Sequence, residues 1–285
     1  KVEILAPFEV EKIMVSVSEN KYSVFTAVPT IYFSLIDEME KMGDKKLHAL
    51  KKGFQGMRLM MSGSAALAPE IHKKWTNLTD QILLERYGMT EVGMAISNPY
   101  KGERRSGSVG LPLPNVEVCL MEKGKVIEEE NIPGEIMIKG PQVFTEYWGE
   151  SEITKESFVD GWFKSGDVAI LEKGYFKILG RDSVDIIKSG AYKISALEIE
   201  NILLKNPSIK ECAVVGIEDN KWGEIVAVSI TSAGKEDLSL ENLQKWSTDF
   251  LSDYKIPRKM NIVSELPKNS MGKINKPEVK KSFLT

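Results

Sequence analysis

The apolar residues of this chain change their period twice, and those two changes constrain the fold more than any single motif. Up to about Pro99, short apolar runs alternate with helical stretches. Val24–Val28 reads as a strand, and Pro29 is placed to open a helix. Ile31, Leu35, Ile36 and Met39 then line one face of a helix from about Thr30 to Met42. A strand at Met57–Met61, a small-residue turn, a helix from Pro69 and a strand at Ile82–Leu84 follow. This alternation predicts α/β structure with a parallel, doubly wound layer. Beyond Pro99 the period shortens to two. Val116–Met121, Gly134–Lys139, Val168–Leu171 and Tyr175–Leu179 are separated by Gly-containing turns and predict hairpin-rich β structure.

A third pattern begins near Arg181. Strand Val184–Ile187 leads through a loop, Lys188-Ser189-Gly190-Ala191, into a helix carrying Leu197, Ile199, Ile202 and Leu203. Strands at Glu211–Ile217 and Ile225–Thr231 precede a helix with Leu240, Leu243, Trp246, Phe250 and Leu251 on its apolar face. A strand at Asn261–Val263 and a short terminal helix complete a small α+β domain. The expected division is therefore 1–181, part of a larger α/β domain with its hairpin-rich portion, and 182–285.

Composition excludes several functions. The 38 basic and 41 acidic residues leave a net charge of −3 and are scattered, which disfavours nucleic acid or an anionic membrane as the main partner. No apolar run is long enough to cross a bilayer. Cys119 and Cys212 lie in alternating segments and read as buried free thiols, in keeping with a reducing intracellular compartment. The only histidines, His48 and His72, read as surface helix residues, so chemistry falls to Lys, Arg, hydroxyls and carboxylates.

Four segments carry chemistry, and each also has a plain structural reading. Ser62-Gly63-Ser64-Ala65-Ala66-Leu67 lets backbone approach a planar or phosphate ligand, or is simply a tight strand–helix turn. Arg86-Tyr87-Gly88-Met89-Thr90-Glu91 gathers an aromatic face, a hydroxyl and a carboxylate at a strand end, where open α/β sheets bind ligands. A carboxylate beside a hydroxyl can hold Mg²⁺ against phosphate; the alternative is a solvated loop with a capping Thr. Asp167 and Arg181 bracket a hairpin and would lie on nearby edges, able to hold a ribose or forming only a surface pair. Lys273 follows Gly272 in an exposed loop and suits growing negative charge on a phosphate, or is only solvated.

Taken in order, these segments resemble the adenylate-forming superfamily of acyl-CoA synthetases, luciferases and peptide-synthetase adenylation domains. Ser-Gly-Ser-Ala-Ala, Tyr-Gly-Met-Thr-Glu, Gly-Glu-Ile…Lys-Gly-Pro (134–141), Trp-Phe-Lys-Ser-Gly-Asp, Gly-Arg-Asp…Ile-Lys-Ser-Gly…Leu-Glu-Ile-Glu (180–200) and Met-Gly-Lys fall in that family's order and spacing. The run Glu85–Glu91, with Ser97-Asn98-Pro99-Tyr100 and Gly102-Glu103-Arg104-Arg105, resembles the malonyl-CoA synthetases within it.

The resemblance implies an AMP-forming ligase: a carboxylic acid attacks ATP to give an acyl-adenylate, and coenzyme A then displaces AMP. It implies that Ser64 and Ala65 line the adenine pocket, with Tyr87 stacking on the base beside Gly88. Thr90 would hold phosphate oxygens, Glu91 Mg²⁺, and Asp167 the ribose hydroxyls with Arg181 nearby. Lys273 would bridge the substrate carboxylate and the α-phosphate. Asp182 would be the hinge of the small domain; Lys188 and Gly190 belong to the cofactor-binding set, with Gly190 facing the pantetheine channel. Ala191 stands where the family has a second Gly, a departure that weakens the channel assignment.

Arg86 could neutralise the distal carboxylate of malonate or methylmalonate, the alternative being a local pair with Glu85 or Glu91. Arg104-Arg105 reads as a solvated turn. Other possibilities are a ligase for a medium-chain or aromatic acid, and a non-catalytic nucleotide-binding homologue. The family's Ser/Thr/Gly-rich phosphate loop ending in Pro-Lys is not found between Lys1 and Ser62. The chain is therefore expected to be the C-terminal portion of an enzyme of the cytoplasm or mitochondrion, with little ligase activity alone.

Overall fold

A computed structural model describes residues 1–5, 7–190, 192–234, 238–269 and 272–284. The chain divides into two compact units, Lys1–Val116 with Gly140–Phe144, and Glu117–Lys139 with Thr145–Thr285.

The first unit begins with α1 (Val10–Ser18), followed by β1 (Val24–Ala27), α2 (Pro29–Met39), α3 (Asp44–Gln55), β2 (Leu59–Ser62), α4 (Pro69–Thr79) and β3 (Leu84–Met89). Strands β1, β2 and β3 are parallel neighbours in chain order. Phe25 and Met60 share one core with buried residues of all four helices. Trp75 is its centre, meeting Tyr32 and Phe54 edge-on at 5.0 and 4.8 Å. The Tyr32 hydroxyl reaches the Met61 carbonyl at 2.7 Å, so a buried phenol also fixes α2 against the sheet. The sheet then changes sense: β4 (Gly93–Ser97) and β5 (Leu111–Pro112) add as antiparallel strands.

The second unit carries two sheets. The first contains β6 (Glu117–Glu122), β7 (Lys125–Ile127), β8 (Gly134–Lys139), β9 (Phe158–Val159), β10 (Trp162–Glu172) and β11 (Tyr175–Arg181), with α5 (Ser151–Glu156) before β9. All its pairings are antiparallel, as the period of two predicts. The second contains β12 (Ile186–Ser189), β13 (Tyr192–Ser195), β14 (Ile209–Asp219), β15 (Gly223–Ser232) and β16 (Lys259–Ile262). Helices α6 (Ala196–Leu203) and α7 (Leu240–Ser247) pack on one face, while Leu266 and Val279 of α8 (Lys276–Lys281) pack on the other. Strands β14 and β15 are buried on both faces and so read as nearly continuous apolar runs.

Several local expectations need correction. Strand β3 begins at Leu84 rather than Ile82 and runs through Arg86-Tyr87-Gly88-Met89, so most of that segment is strand rather than loop. Lys188 and Ser189 lie in β12, and a second strand, β13, separates them from α6. His72 is 5% exposed, with Nε2 3.2 Å from the Leu83 carbonyl, and is no surface residue. His48 is exposed on α3, as expected. Arg104 is not a solvated turn residue: its guanidinium donates to the carbonyls of Ile82, Pro99 and Tyr100. Cys212 is buried but Cys119 only half-buried; both are free, and burial raises both thiol pKa values. Among the described residues no helix is long and apolar enough to cross a membrane.

Candidate active site

In the first unit the candidate residues gather at the C-terminal ends of β2 and β3. Ser62 pairs with Glu85, which sets the turn after β2 beside Arg86. Ser64 takes a left-handed φ of 69° and is exposed together with Ala65. Gly63 is the contact point: a Cβ built there would lie 2.5 Å from Arg86 Nη1, so the guanidinium occupies the space a side chain would fill. Glu85, on the opposite face of the strand, accepts the Gly107 N–H at 2.9 Å. Its side chain faces the protein rather than Arg86, and burial pushes its pKa up to about 8.

The β3–β4 hairpin supports the rest of the segment. Tyr87 pairs with Ile96 and Gly88 with Met94 across a bulge, and Gly88 passes so close to the Gly93 carbonyl that no Cβ fits. Thr90 and Glu91 therefore stand at a hairpin turn, with the Glu91 carbonyl accepting the Phe144 N–H at 2.7 Å. Asn98 ties the next segment down, donating to the carbonyls of Glu85 and Ser108 and accepting the Arg105 N–H. Among the described residues no group of three or more His, Cys, Asp or Glu could hold a metal. The partly exposed Glu91 carboxylate fits Mg²⁺ only in the form that ion takes with phosphates, one or two protein carboxylates with the remaining ligands from substrate and water.

In the second unit Asp167 and Arg181 are direct cross-strand partners on β10 and β11, with Arg181 Nε 3.2 Å from Asp167 Oδ1. The nearby edges expected from the sequence are therefore a true register pair. Asp167 is 8% exposed, and its N–H donates to Ser165 Oγ. Its carboxylate is largely buried, whereas the Arg181 side chain is half in solvent. Asp182 follows at once, its N–H on the Gly166 carbonyl and its carboxylate 3.3 Å from Lys188 Nζ. Gly190, at φ 58°, donates to the Trp222 carbonyl and leaves room for the Trp222 ring 3.4 Å from where its Cβ would stand.

Ser270 and Met271 of the Met-Gly-Lys motif, and Ala191, lie outside the described residues. Lys273 lies in a closed turn: its N–H donates to Asn269 Oδ1, its carbonyl accepts the Asn269 N–H, and Lys268 bridges Ile274. Among the described residues the Lys273 ammonium has no ion-pair partner. Lys276 escapes a sequence reading altogether, and the burial of Glu85 and the contact of Gly63 with Arg86 do too, because burial and pairing rather than local pattern produce them.

A parallel α/β layer with candidate residues at its strand ends, an Asp–Arg register pair on a hairpin and a Lys-bearing turn are each features that the adenylate-forming class of proteins leads one to expect. The chain belongs to the AMP-binding enzyme family: that family matches residues 3–148, and its C-terminal domain matches residues 198–273. It is 46% identical to a malonate–CoA ligase of Arabidopsis thaliana over 93% of this chain and 45% of that protein. It is 40% identical to the human mitochondrial malonate–CoA ligase ACSF3, over 98% of this chain and 53% of that one. A crystal structure of ATP-bound MatB from Rhodopseudomonas palustris superposes with a TM-score of 0.89 at 33% identity, covering 98% of this chain and 54% of that one. The chain thus spans about half the length of the curated relatives it matches.

Proposed function

We propose that the whole protein is an ATP-dependent malonate–CoA ligase. The observation that carries this is Arg86, a guanidinium seated against Gly63 beside the Tyr87–Glu91 hairpin, where a charge suits an acid with a second carboxylate. The names of the Arabidopsis and human relatives support the same substrate.

In this reading one malonate oxygen attacks the α-phosphorus of ATP and pyrophosphate leaves; the thiolate of coenzyme A then attacks the acyl carbon and AMP leaves. Ser64 and Ala65 border the adenine, Tyr87 stacks on it with Gly88 alongside, and Thr90 donates to phosphate oxygens. Glu91 holds Mg²⁺, which neutralises phosphate charge when bound. Asp167 accepts the ribose hydroxyls, a role its low exposure and the adjacent Arg181 support. Lys273 steadies the charge that grows between carboxylate and α-phosphate. Residues 1–181 are then the later part of the large adenylating domain and 182–285 the small domain, with Asp182 as hinge and Lys188 and Gly190 on the coenzyme A side. The compartment is the cytoplasm or the mitochondrion, and the 285-residue chain alone has little ligase activity.

The test compares kcat/KM for malonate and butyrate in the full-length protein and its Arg86→Ala variant. A charge-assisted contact contributes about 1.5–3 kcal/mol, so the malonate preference is expected to fall roughly tenfold to a hundredfold. An unchanged ratio removes Arg86 from substrate selection, and a wild type that prefers butyrate removes malonate.

A further inference from the structure

Lys276 lies three residues beyond Lys273, at the first position of α8, and is 9% exposed. Its ammonium contacts two carboxylates, Asp185 Oδ1 at 2.5 Å and Glu200 Oε1 at 2.9 Å. Both carboxylates are themselves held by backbone. Asp185 Oδ2 accepts the Arg181 N–H at 3.0 Å, and Glu200 Oε1 accepts the Val214 N–H at 2.7 Å. Gly180 packs directly on the Asp185 side chain, leaving no room for a Cβ. Burial opposes the charge on Lys276, but Glu200 and Asp185 outweigh it and raise the pKa, so the cation persists. One buried ammonium thus connects the end of the Lys273 turn to the segment just after Arg181-Asp182 and, through Glu200 of α6, to β14.

The tether is short and stiff. Between Lys273 and Lys276 the chain is pinned by the Lys268–Ile274 bridge and by the Asn275 N–H on the Pro267 carbonyl. A second link runs parallel: Lys280 of α8 pairs with Glu224 at 3.1 Å, and Glu224 also accepts the Lys188 N–H. A buried ion pair contributes little net stability, because desolvation offsets its attraction, but it fixes geometry when its hydrogen bonds are complete.

We propose that Lys276 is a positioning residue for Lys273, holding the Lys273 turn in fixed register with Asp185 so that the turn moves with the segment following Asp182. This rests on the reading that Lys273 serves adenylate formation. It predicts a defect confined to that half-reaction, since loss of the tether misplaces Lys273 but touches no other group in the proposed chemistry.

The experiment uses the full-length protein and three readouts: malonate-dependent exchange of pyrophosphate into ATP, single-turnover thioester formation from preformed acyl-adenylate and coenzyme A, and thermal midpoint. Lys276→Met is expected to lower exchange on the order of 100-fold, the usual cost of a misplacement near 1 Å, and to retain thioester formation. Lys276→Arg, which keeps a cation able to reach both carboxylates, is expected to restore most of the exchange. Because Lys276→Met strands two buried carboxylates, the triple variant Lys276→Met/Asp185→Asn/Glu200→Gln separates positioning from folding. It is expected to keep the wild-type midpoint and the exchange defect. Wild-type exchange in the triple variant overturns the proposal, as does parallel loss of both half-reactions together with a lower midpoint. Lys273→Ala with exchange intact would overturn the underlying reading of Lys273 instead, while loss in Lys273→Ala without loss in Lys276→Met overturns only the positioning role.

Discussion

Glu85 and Arg86 are consecutive on β3, so the pleat of the strand sends their side chains to opposite faces. That geometry makes one carboxylate a buried proton carrier and leaves its neighbour's cation available to a ligand. The Glu85 pKa, raised from 4.5 to about 8 by burial, has a definite consequence for stability. The folded state binds a proton that the unfolded chain releases near pH 4.5, so stability is greatest below that pH and falls as pH rises towards 8. Summed over that interval the loss is roughly 3 kcal/mol by pH 7. Glu85→Gln keeps an acceptor for the Gly107 N–H without the ionisation. Its thermal midpoint is expected to exceed the wild type at pH 8 and to converge with it near pH 5. Equal pH slopes for the two proteins would show that Glu85 is ionised in the folded state. Gly63→Ala tests the other face. The added methyl displaces only the mobile end of Arg86, so the midpoint should hardly move, while the malonate-over-butyrate ratio falls about tenfold through a weakened charge-assisted contact. Loss of both folding and ratio together would mean that Gly63 serves the backbone rather than Arg86.

Elements whose pattern is local were legible in the sequence, and those whose pattern depends on distant partners were not. Gly134–Lys139 coincides with its expected strand because period-two alternation and flanking turns are intrinsic to the segment. The turn at Glu172-Lys173-Gly174 was equally plain: Lys173 and Gly174 both take positive φ, 49° and 78°, as a two-residue hairpin demands. By contrast, Lys188-Ser189-Gly190 reads as a polar loop. It becomes part of a strand pair because β13 supplies the ladder and Ser189 pairs with Gly223 of β15. Ser195 then does two things at once, capping α6 through Glu198 N–H and donating to the Leu179 carbonyl. Strand β3 was cut short for a related reason. Gly88 is a strand breaker by propensity, yet close approach to Gly93 requires it there. In the candidate site, Asp167 and Arg181 were legible as a pair because a hairpin fixes their register. Lys276 was not, because nothing in a stretch of Lys and Pro announces that one ammonium will be buried between carboxylates 91 and 76 residues upstream.

At the scale of the molecule, residues from Asp182 onward contain what an independent fold needs. Their sheet is covered on both sides, by α6 and α7 against Val214, Val226 and Val228, and by Leu266 and Val279 against Ala213, Val215 and Ala227. The buried Lys276–Asp185–Glu200 group lies wholly within the segment, so separation leaves no charge unpaired. Polar side-chain links join this segment to the preceding sheet: the exposed Lys193–Glu122 pair, the bond from Ser195 Oγ to the Leu179 carbonyl and the Arg181 N–H on Asp185 Oδ2. The exposed ion pair contributes at most about 1 kcal/mol, and each of the hydrogen bonds about 0.5–1.5 kcal/mol. Residues 182–285 expressed alone are therefore expected to fold cooperatively, with an unfolding enthalpy of about 60–80 kcal/mol, the usual value for some 100 residues. Calorimetry with equal van't Hoff and calorimetric enthalpies would support that expectation. A broad, non-cooperative melt would mean that the hairpin sheet before Asp182 is part of the same folding unit, and that a hinge at Asp182 divides a single cooperative structure rather than joining two.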